Sequence, residues 1–466
     1  HARIAECLET DFPETVAHEP ELLAHHCARA GLAEKAIRYW QIAGQRASER
    51  SANLEAASHL ASAFALLDDL PNAQIRRELE LSLLITLGPV EIALKGSGSE
   101  EAREAYARAV ALCAELPDSP LHFAAHWGQW RTSKTYLTKR ERADTLSALA
   151  DSLGDPGLRL QAHHCQWASL YNLGFQRACC EHIERGLELY ESGDFRWHAS
   201  VYGGHDPAVC GHGEAALSLW LQGFPEQAMA RMDRALAVAE SLSHAGSTAH
   251  AMDIALMLHR FRQDAREVRT RADQLISLSE AEGFVALRAK GEMFRGWALC
   301  RLGDVERGIN GLSEGLDTLY AIATNEDLPV FLEMLAECHA ISNQINEGLN
   351  ALEAAFAEAE AAALRYWLAE LFRRKGELLL RPDGDAAQAE ACFTDALRIA
   401  REQGARSLEL RAAMSYARLL QSRGEAATAH TLLSSVYNAF TEGTDTVDLV
   451  AARACLRNLE LSTALN

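Results

Sequence analysis

The sequence predicts an all-α chain: a solenoid of helix pairs that repeat about every forty residues. Three observations carry this. Alanine and leucine dominate, with glutamate and arginine between them, and alternating β-branched runs are scarce, so helix is the expected state throughout. At 466 residues the chain exceeds the size at which one compact core keeps growing, which calls for several domains or an array of repeats. A turn residue followed by small residues five and twelve positions later recurs in one register along the chain.

The recurrence is plainest in the C-terminal half. Gly303 with Gly308 and Gly315 sets the pattern, preceded by Gly223 with Ala228 and Ala235 and by a degenerate copy at Gln263, Val268 and Leu275. Downstream stand Asn343 with Gly348 and Ala355, Gly384 with Ala389 and Ala396, and Gly424 with Ala429 and Val436. Apolar helices precede the turns, over 214–221, 295–302, 331–341, 369–380 and 408–420. Small residues in the second helix of each pair let the two helices approach closely, while large apolar residues bury between neighbouring pairs.

The N-terminal part keeps this logic with looser spacing: Gly31 with Ala36 and Ala43, Ser51 with Ala56 and Ala63 after only twenty residues, and Gly174 with Cys179 and Gly186. Helix pairs are expected over 34–47 with 54–67, 75–87 with 100–116, 121–136 with 140–153, and 158–173 with 177–190. The chain thus divides into a leading helical stretch (1–30), irregular pairs (31–191), an interruption (192–213), regular repeats (214–442) and a capping segment (443–466). The cap helix is expected over 447–459, closing some ten or eleven pairs wound into a right-handed superhelix.

A formal charge of −20 and a pI near 5.4 speak against general affinity for nucleic acid or anionic membranes, which needs clustered lysine and arginine. The eleven cysteines are scattered singly apart from Cys179 and Cys180, with no CxxC pair, so neither a disulfide framework nor a zinc ribbon is expected. No run of some eighteen apolar residues and no signal sequence is seen, which points to the cytoplasm. The chain starts at His1 without methionine and enters helix-like sequence at once, and so reads as a piece of a longer polypeptide.

Catalytic patterns are missing: no G-x-x-x-x-G-K-[ST] phosphate loop, no strand-borne G-x-G-x-x-G, no G-x-S-x-G elbow and no H-E-x-x-H. The chain is therefore expected to be no enzyme and to need no cofactor. The tryptophans Trp40, Trp127, Trp130, Trp167, Trp197, Trp220, Trp297 and Trp367 read first as packing residues of the helix pairs, with a ligand-stacking platform as the alternative.

The interruption is rich in glycine, histidine and aromatics and stretches the spacing from Gly174 to Gly223 to about fifty residues. Its first reading is structural. Asp206 caps a helix that begins at Pro207, Gly203 and Gly204 permit the turn before it, and Asp206→Ala should cost about 1 kcal/mol. A second reading places an anionic or polar ligand at that helix start in the superhelical groove, with His205, Asp206, Trp197 and Tyr202 around it. A third is a metal site of His198, His205, Cys210 and His212. The runs His163-His164-Cys165 and His25-His26-Cys27 are weaker candidates, since adjacent side chains on a helix point about 100° apart.

The stretch from His18 to Ala47, His-Glu-Pro-Glu-Leu-Leu-Ala-His-His-Cys through Tyr39-Trp40-Gln-Ile-Ala-Gly-Gln-Arg-Ala, resembles a junction in bacterial multidomain regulators. There an AAA/STAND-type ATPase region passes into tetratricopeptide repeats. The resemblance continues through Gly203-Gly-His-Asp-Pro207, Gly296-Trp-Ala-Leu299, Glu377-Leu-Leu-Leu380, 391–401, Ser407-Leu-Glu-Leu-Arg411 and 436–443. Many such proteins carry a class III adenylate/guanylate cyclase domain, others a DNA-binding output domain. The resemblance implies that residues 1–30 end an ATPase-associated helical region. It also implies that the repeats sense a protein segment or small effector in the concave groove and control attached ATPase and output domains, as a signal-transduction module.

Overall fold

The computed structural model describes every residue except 51, 118, 325, 382, 383, 465 and 466. Among the described residues stand twenty-five α-helices, one short 3₁₀ turn at Leu67–Asp69 and no strand. The architecture is an all-α, tetratricopeptide-like array of helix pairs. First helices begin at Pro207, Ala245, Val285, Leu328, Leu368 and Arg406, and the closing helix at Val447, a step of about forty residues throughout.

The turn residues read from the sequence do the turning. Gly31, Gly174, Gly223, Gly303 and Gly424 have positive φ, and so do the non-glycine members Gln263 (60°) and Asn343 (61°). A left-handed residue there lets the next amide reach back to the last helical turn, as Phe224 N does to Leu219 O (2.9 Å), Asp264 N to His259 O (3.0 Å) and Gln344 N to His339 O (2.8 Å). Gly384 departs from this, because Asp385 starts the next helix by accepting from the amides of Ala387 and Gln388. Ser51 lies outside the described residues.

The small residues five and twelve positions on are buried in every copy. Gly308 shows why they are small: a Cβ there would stand 2.4 Å from the carbonyl oxygen of Gly296 and 2.3 Å from Cys300 Sγ. The helices Val285–Arg301 and Val305–Ala321 therefore meet backbone to backbone.

Contacts divide the chain into two compact units, one of residues 1–134 with 141–153 and 322–324, the other of 135–140 with 154–321 and 325–466. In the first, Ile37, Leu60, Leu83 and Val90 form one core cluster and Leu81, Ala109 and Leu112 another. The helix predicted to stop at Leu87 runs over Ala73–Lys95, straight through Pro89. One lost hydrogen bond is offset by packing, since Val90 is fully buried and the ring of Tyr106 fills the space where Gly88 and Gly128 lack a Cβ. Similarly, the helix expected over 121–136 ends at Arg131, and the next already starts at Tyr136.

The second unit holds seven helix pairs, from Pro156–Asn172 with Gln176–Glu191 to Arg406–Ser422 with Ala426–Tyr437, and the closing helix Val447–Ala464. Leu449, Ala452 and Leu459 of that helix cover Leu433 and Val436, the last apolar face of the array. The unit also closes on itself. Ser407 Oγ donates to Trp220 O (2.5 Å), Arg365 N to Asn172 O (2.7 Å), and the Glu442 carboxylate accepts from the amides of Glu226 (2.8 Å) and Gln227 (3.1 Å). Among the described residues no helix is long and apolar enough to cross a membrane.

Candidate functional site

After the helix Gln176–Glu191, the interruption forms one short helix, His198–Val201, and Gly203 (φ 85°) and Gly204 (φ 77°) then swing the chain into Pro207–Gln222. Asp206 is the cap, accepting from the amides of Ala208 (2.8 Å) and Val209 (3.3 Å). Its other carboxylate oxygen accepts from the Tyr190 hydroxyl at 2.9 Å, and its own amide donates to Ser247 Oγ at 2.9 Å. Asp206 is fully buried, so burial pushes its pKa up while the hydroxyl and the two amides pull it down. The helix-start amides that an anionic ligand would need are thus already served from within the fold.

This makes Asp206 more than a surface cap. Asp206→Ala is expected to cost about 2–3 kcal/mol, because it strands two buried amides and a half-buried hydroxyl together. Urea unfolding of the variant checks this, and a loss near the about 1 kcal/mol of an exposed cap would show the Tyr190 bond to be idle.

The remaining residues singled out in the sequence part company. His198 is fully buried, with Nδ1 accepting from Gln161 Nε2 at 2.9 Å and its ring edge-on to Trp197 and Tyr202, and burial lowers its pKa to about 4. Tyr202 is buried, and burial raises its phenol. Trp197, in contrast, is 54% exposed, and Val201, one turn further, is also exposed. The other seven tryptophans are buried or half-buried, as their packing role requires.

The four-residue metal set of His198, His205, Cys210 and His212 is not assembled. Cys210 and His212 stand two positions apart on one helix and diverge by about 200°. His212 faces Arg231 (3.2 Å), and burial together with Arg231 and Arg234 holds its pKa at about 4. His198 is turned to Gln161. His205 and Cys210 instead meet His164, the only such group among the described residues, with one ligand atom from each within 4.8 Å of the others. The adjacent histidines do diverge: His163 contacts His182 (Nδ1 to Nδ1 2.9 Å), while His164 faces the interruption. Glu214 lies beside the group, 3.8 Å from Cys210 Sγ, its carboxyl pushed up to about 8 by burial and by the nearby Asp327. All eleven cysteines are free thiols.

Sequence reading missed a charged seam along the first helices of the second unit. Arg260 Nη2 reaches Glu333 and Glu337, each at 2.8 Å, and Arg374 bonds the same two residues at 2.9 and 3.2 Å. Arg301 meets Glu337 at 3.1 Å, Arg373 meets Glu370 and Glu377, each at 2.6 Å, and Arg411 meets Asp448 at 2.9 Å. Lys290 bridges Asp253 (3.0 Å) and Asp327 (3.1 Å). Burial pushes Glu337 up, but Arg374, Arg260 and Arg301 outweigh it and hold the carboxyl at about 2. These pairs are largely buried between the helices, with Arg260, Glu333, Glu370 and Arg411 almost wholly out of water. The detectable signal is the recurrence of arginine and paired glutamates in helices otherwise apolar, again at about forty residues.

No family model matches the chain. It is 31% identical over 392 residues to an uncharacterised protein of Rhizobium meliloti (strain 1021), an alignment covering 84% of this chain and 38% of that protein. The chain spans about two fifths of the length of this curated relative. Among solved structures it is similar to a Rap protein complexed with competence and sporulation factor, at a TM-score of 0.52 and 13% identity over 84% of this chain and 99% of that one. A weaker likeness, TM-score 0.39 and 11% identity over 88% of this chain and 67% of that one, is to a signal transduction ATPase with numerous domains and a tetratricopeptide repeat sensor from Pyrococcus horikoshii. The likeness to the Rap protein is one of fold, and it agrees with the helix-pair architecture described above.

Proposed function

We propose that this chain is the sensor and interaction segment of a longer signalling polypeptide. It binds a protein segment at the interruption and thereby controls an attached ATPase region and an output domain such as a nucleotide cyclase. The observation that carries this is the exposure of Trp197 and Val201 on the one segment that breaks the repeat, above a buried floor of His198 and Tyr202. A large aromatic left in water on a short helix stands to gain more from a protein partner than a polar surface would, and such residues dominate binding energy in protein interfaces. A small effector is the other occupant the repeat fold admits.

The test is nucleotide turnover by the full-length polypeptide carrying Trp197→Ala with Val201→Ser. Turnover is expected to shift by about tenfold, the size of one lost hot spot, with the melting temperature nearly unchanged. Unchanged turnover in the folded double variant would reject docking at this segment, and a small effector would then be sought by ligand-induced shifts in melting temperature.

A further inference from the structure

We propose that His164, His205 and Cys210 form a binding site for one borderline transition cation of the Zn²⁺ class. The three come from separate elements: His164 from the helix Pro156–Asn172, His205 from the loop of the interruption, and Cys210 from the first turn of Pro207–Gln222. One ligand atom from each lies within 4.8 Å of the others. Zn²⁺ holds imidazole and thiolate at about 2.0–2.3 Å, which sets ligand atoms roughly 3.5 Å apart, so about an ångström of side-chain movement closes the site.

The hydrogen bonds around the two imidazoles point the same way. His205 Nδ1 lies 3.1 Å from the carbonyl oxygen of Gly203, and His164 Nδ1 lies 3.3 Å from Gln161 Oε1. A backbone carbonyl can only accept, so His205 Nδ1 carries the proton and its Nε2 the lone pair, and with Gln161 Oε1 turned to it His164 takes the same tautomer. The two Gln161 contacts are linked: with its amide nitrogen donating to His198 Nδ1 at 2.9 Å, its oxygen is the end that faces His164. Ligating histidines commonly have their tautomer fixed in this way, by an outer acceptor on the opposite ring nitrogen. Stacking holds both rings as well: His205 lies against His250 with centroids 3.8 Å apart and planes 16° apart, and His164 against Trp167 at 4.8 Å and 24°.

Binding converts the Cys210 thiol to a metal thiolate and releases one proton to solvent, with no change of oxidation state. The fourth position goes to water or to Glu214, one helical turn beyond Cys210 and 3.8 Å from its Sγ. A cation there would clamp the loop of the interruption to the helices on both sides of it. This site stands apart from docking at Trp197 and Val201, so either can fail without the other.

The experiment is a Co²⁺ titration of the purified, chelator-stripped chain, followed by absorption. One Co²⁺ per chain is expected, with a thiolate-to-cobalt charge-transfer band and the visible bands of a tetrahedral centre, both erased by Zn²⁺. Cys210→Ser should abolish the charge-transfer band, whereas Cys180→Ser, at a half-buried thiol outside the group, should leave it intact. His205→Ala should weaken binding at least about a hundredfold, and Gln161→Leu about ten- to a hundredfold through the lost acceptor. The proposal is overturned if Co²⁺ fails to bind stoichiometrically, or if the band survives Cys210→Ser. Should Cys210→Ser not fold, unchanged affinity in His205→Ala overturns it equally.

Discussion

Replacing Glu333 by alanine is expected to lower the stability of the chain by about 3–5 kcal/mol, the range for removing one partner from a buried ion pair. Glu333 is fully buried and receives Arg260 at 2.8 Å and Arg374 at 2.9 Å. Without it Arg260 and Arg374 join Arg301 on Glu337 alone, and Arg260 is shut away from water. Arg260 also lies 4.5 Å from the centroid of Trp297 and Arg411 4.9 Å from that of Trp220, so each cation is packed against an aromatic face. An exposed pair on the outer surface, Arg398 with Glu402, serves as the control, and its loss should leave stability unchanged. Urea unfolding measures both. A cost below about 1 kcal/mol for Glu333→Ala would mean that the seam is solvated.

The second large effect is a dependence on pH carried by His198. Burial lowers its folded pKa to about 4, against about 6.5 for an unperturbed imidazole. The unfolded chain therefore takes up the proton first as pH falls. The stability held by the neutral ring is present in full above pH 6.5 and is lost between pH 6.5 and 4, roughly 3 kcal/mol in all. His198→Gln should flatten the dependence of unfolding free energy on pH between 7 and 4 by about that amount, relative to wild type. Glu337, held at about 2, keeps its charge through this window, and groups such as Glu214 titrate alike in both proteins. Parallel curves for the two proteins would place the ring of His198 in water.

Much of the fold was legible because it rests on local rules. The residue at most of the turns must reach the left-handed region, and the residues five and twelve positions on must be small where helices touch, so both leave marks at fixed spacing. The cap helix was legible for a similar reason, since an array must cover its last apolar face. The helix through Pro89 was not, because its continuation depends on Tyr106 packing against Gly88 from a different helix.

The interruption could be located but not resolved. Glycines and an Asp-Pro step mark a break and a cap from sequence alone. That Tyr190 and Ser247 complete the cap, or that His164 joins His205 across forty-one positions, depends on which faces of three helices meet. The charged seam escaped for a different reason. Single charged residues in apolar helices read as solvent-facing, and only their recurrence in register shows that they face one another.

The most direct measurement is amide hydrogen exchange on the full-length polypeptide, compared residue by residue with the isolated chain. Gained protection is expected over residues 195–205, with the helices Leu328–Ile341 and Leu368–Leu379 of the charged seam exchanging alike in both. Protection gained along those two helices, with none at 195–205, would contradict docking at the interruption.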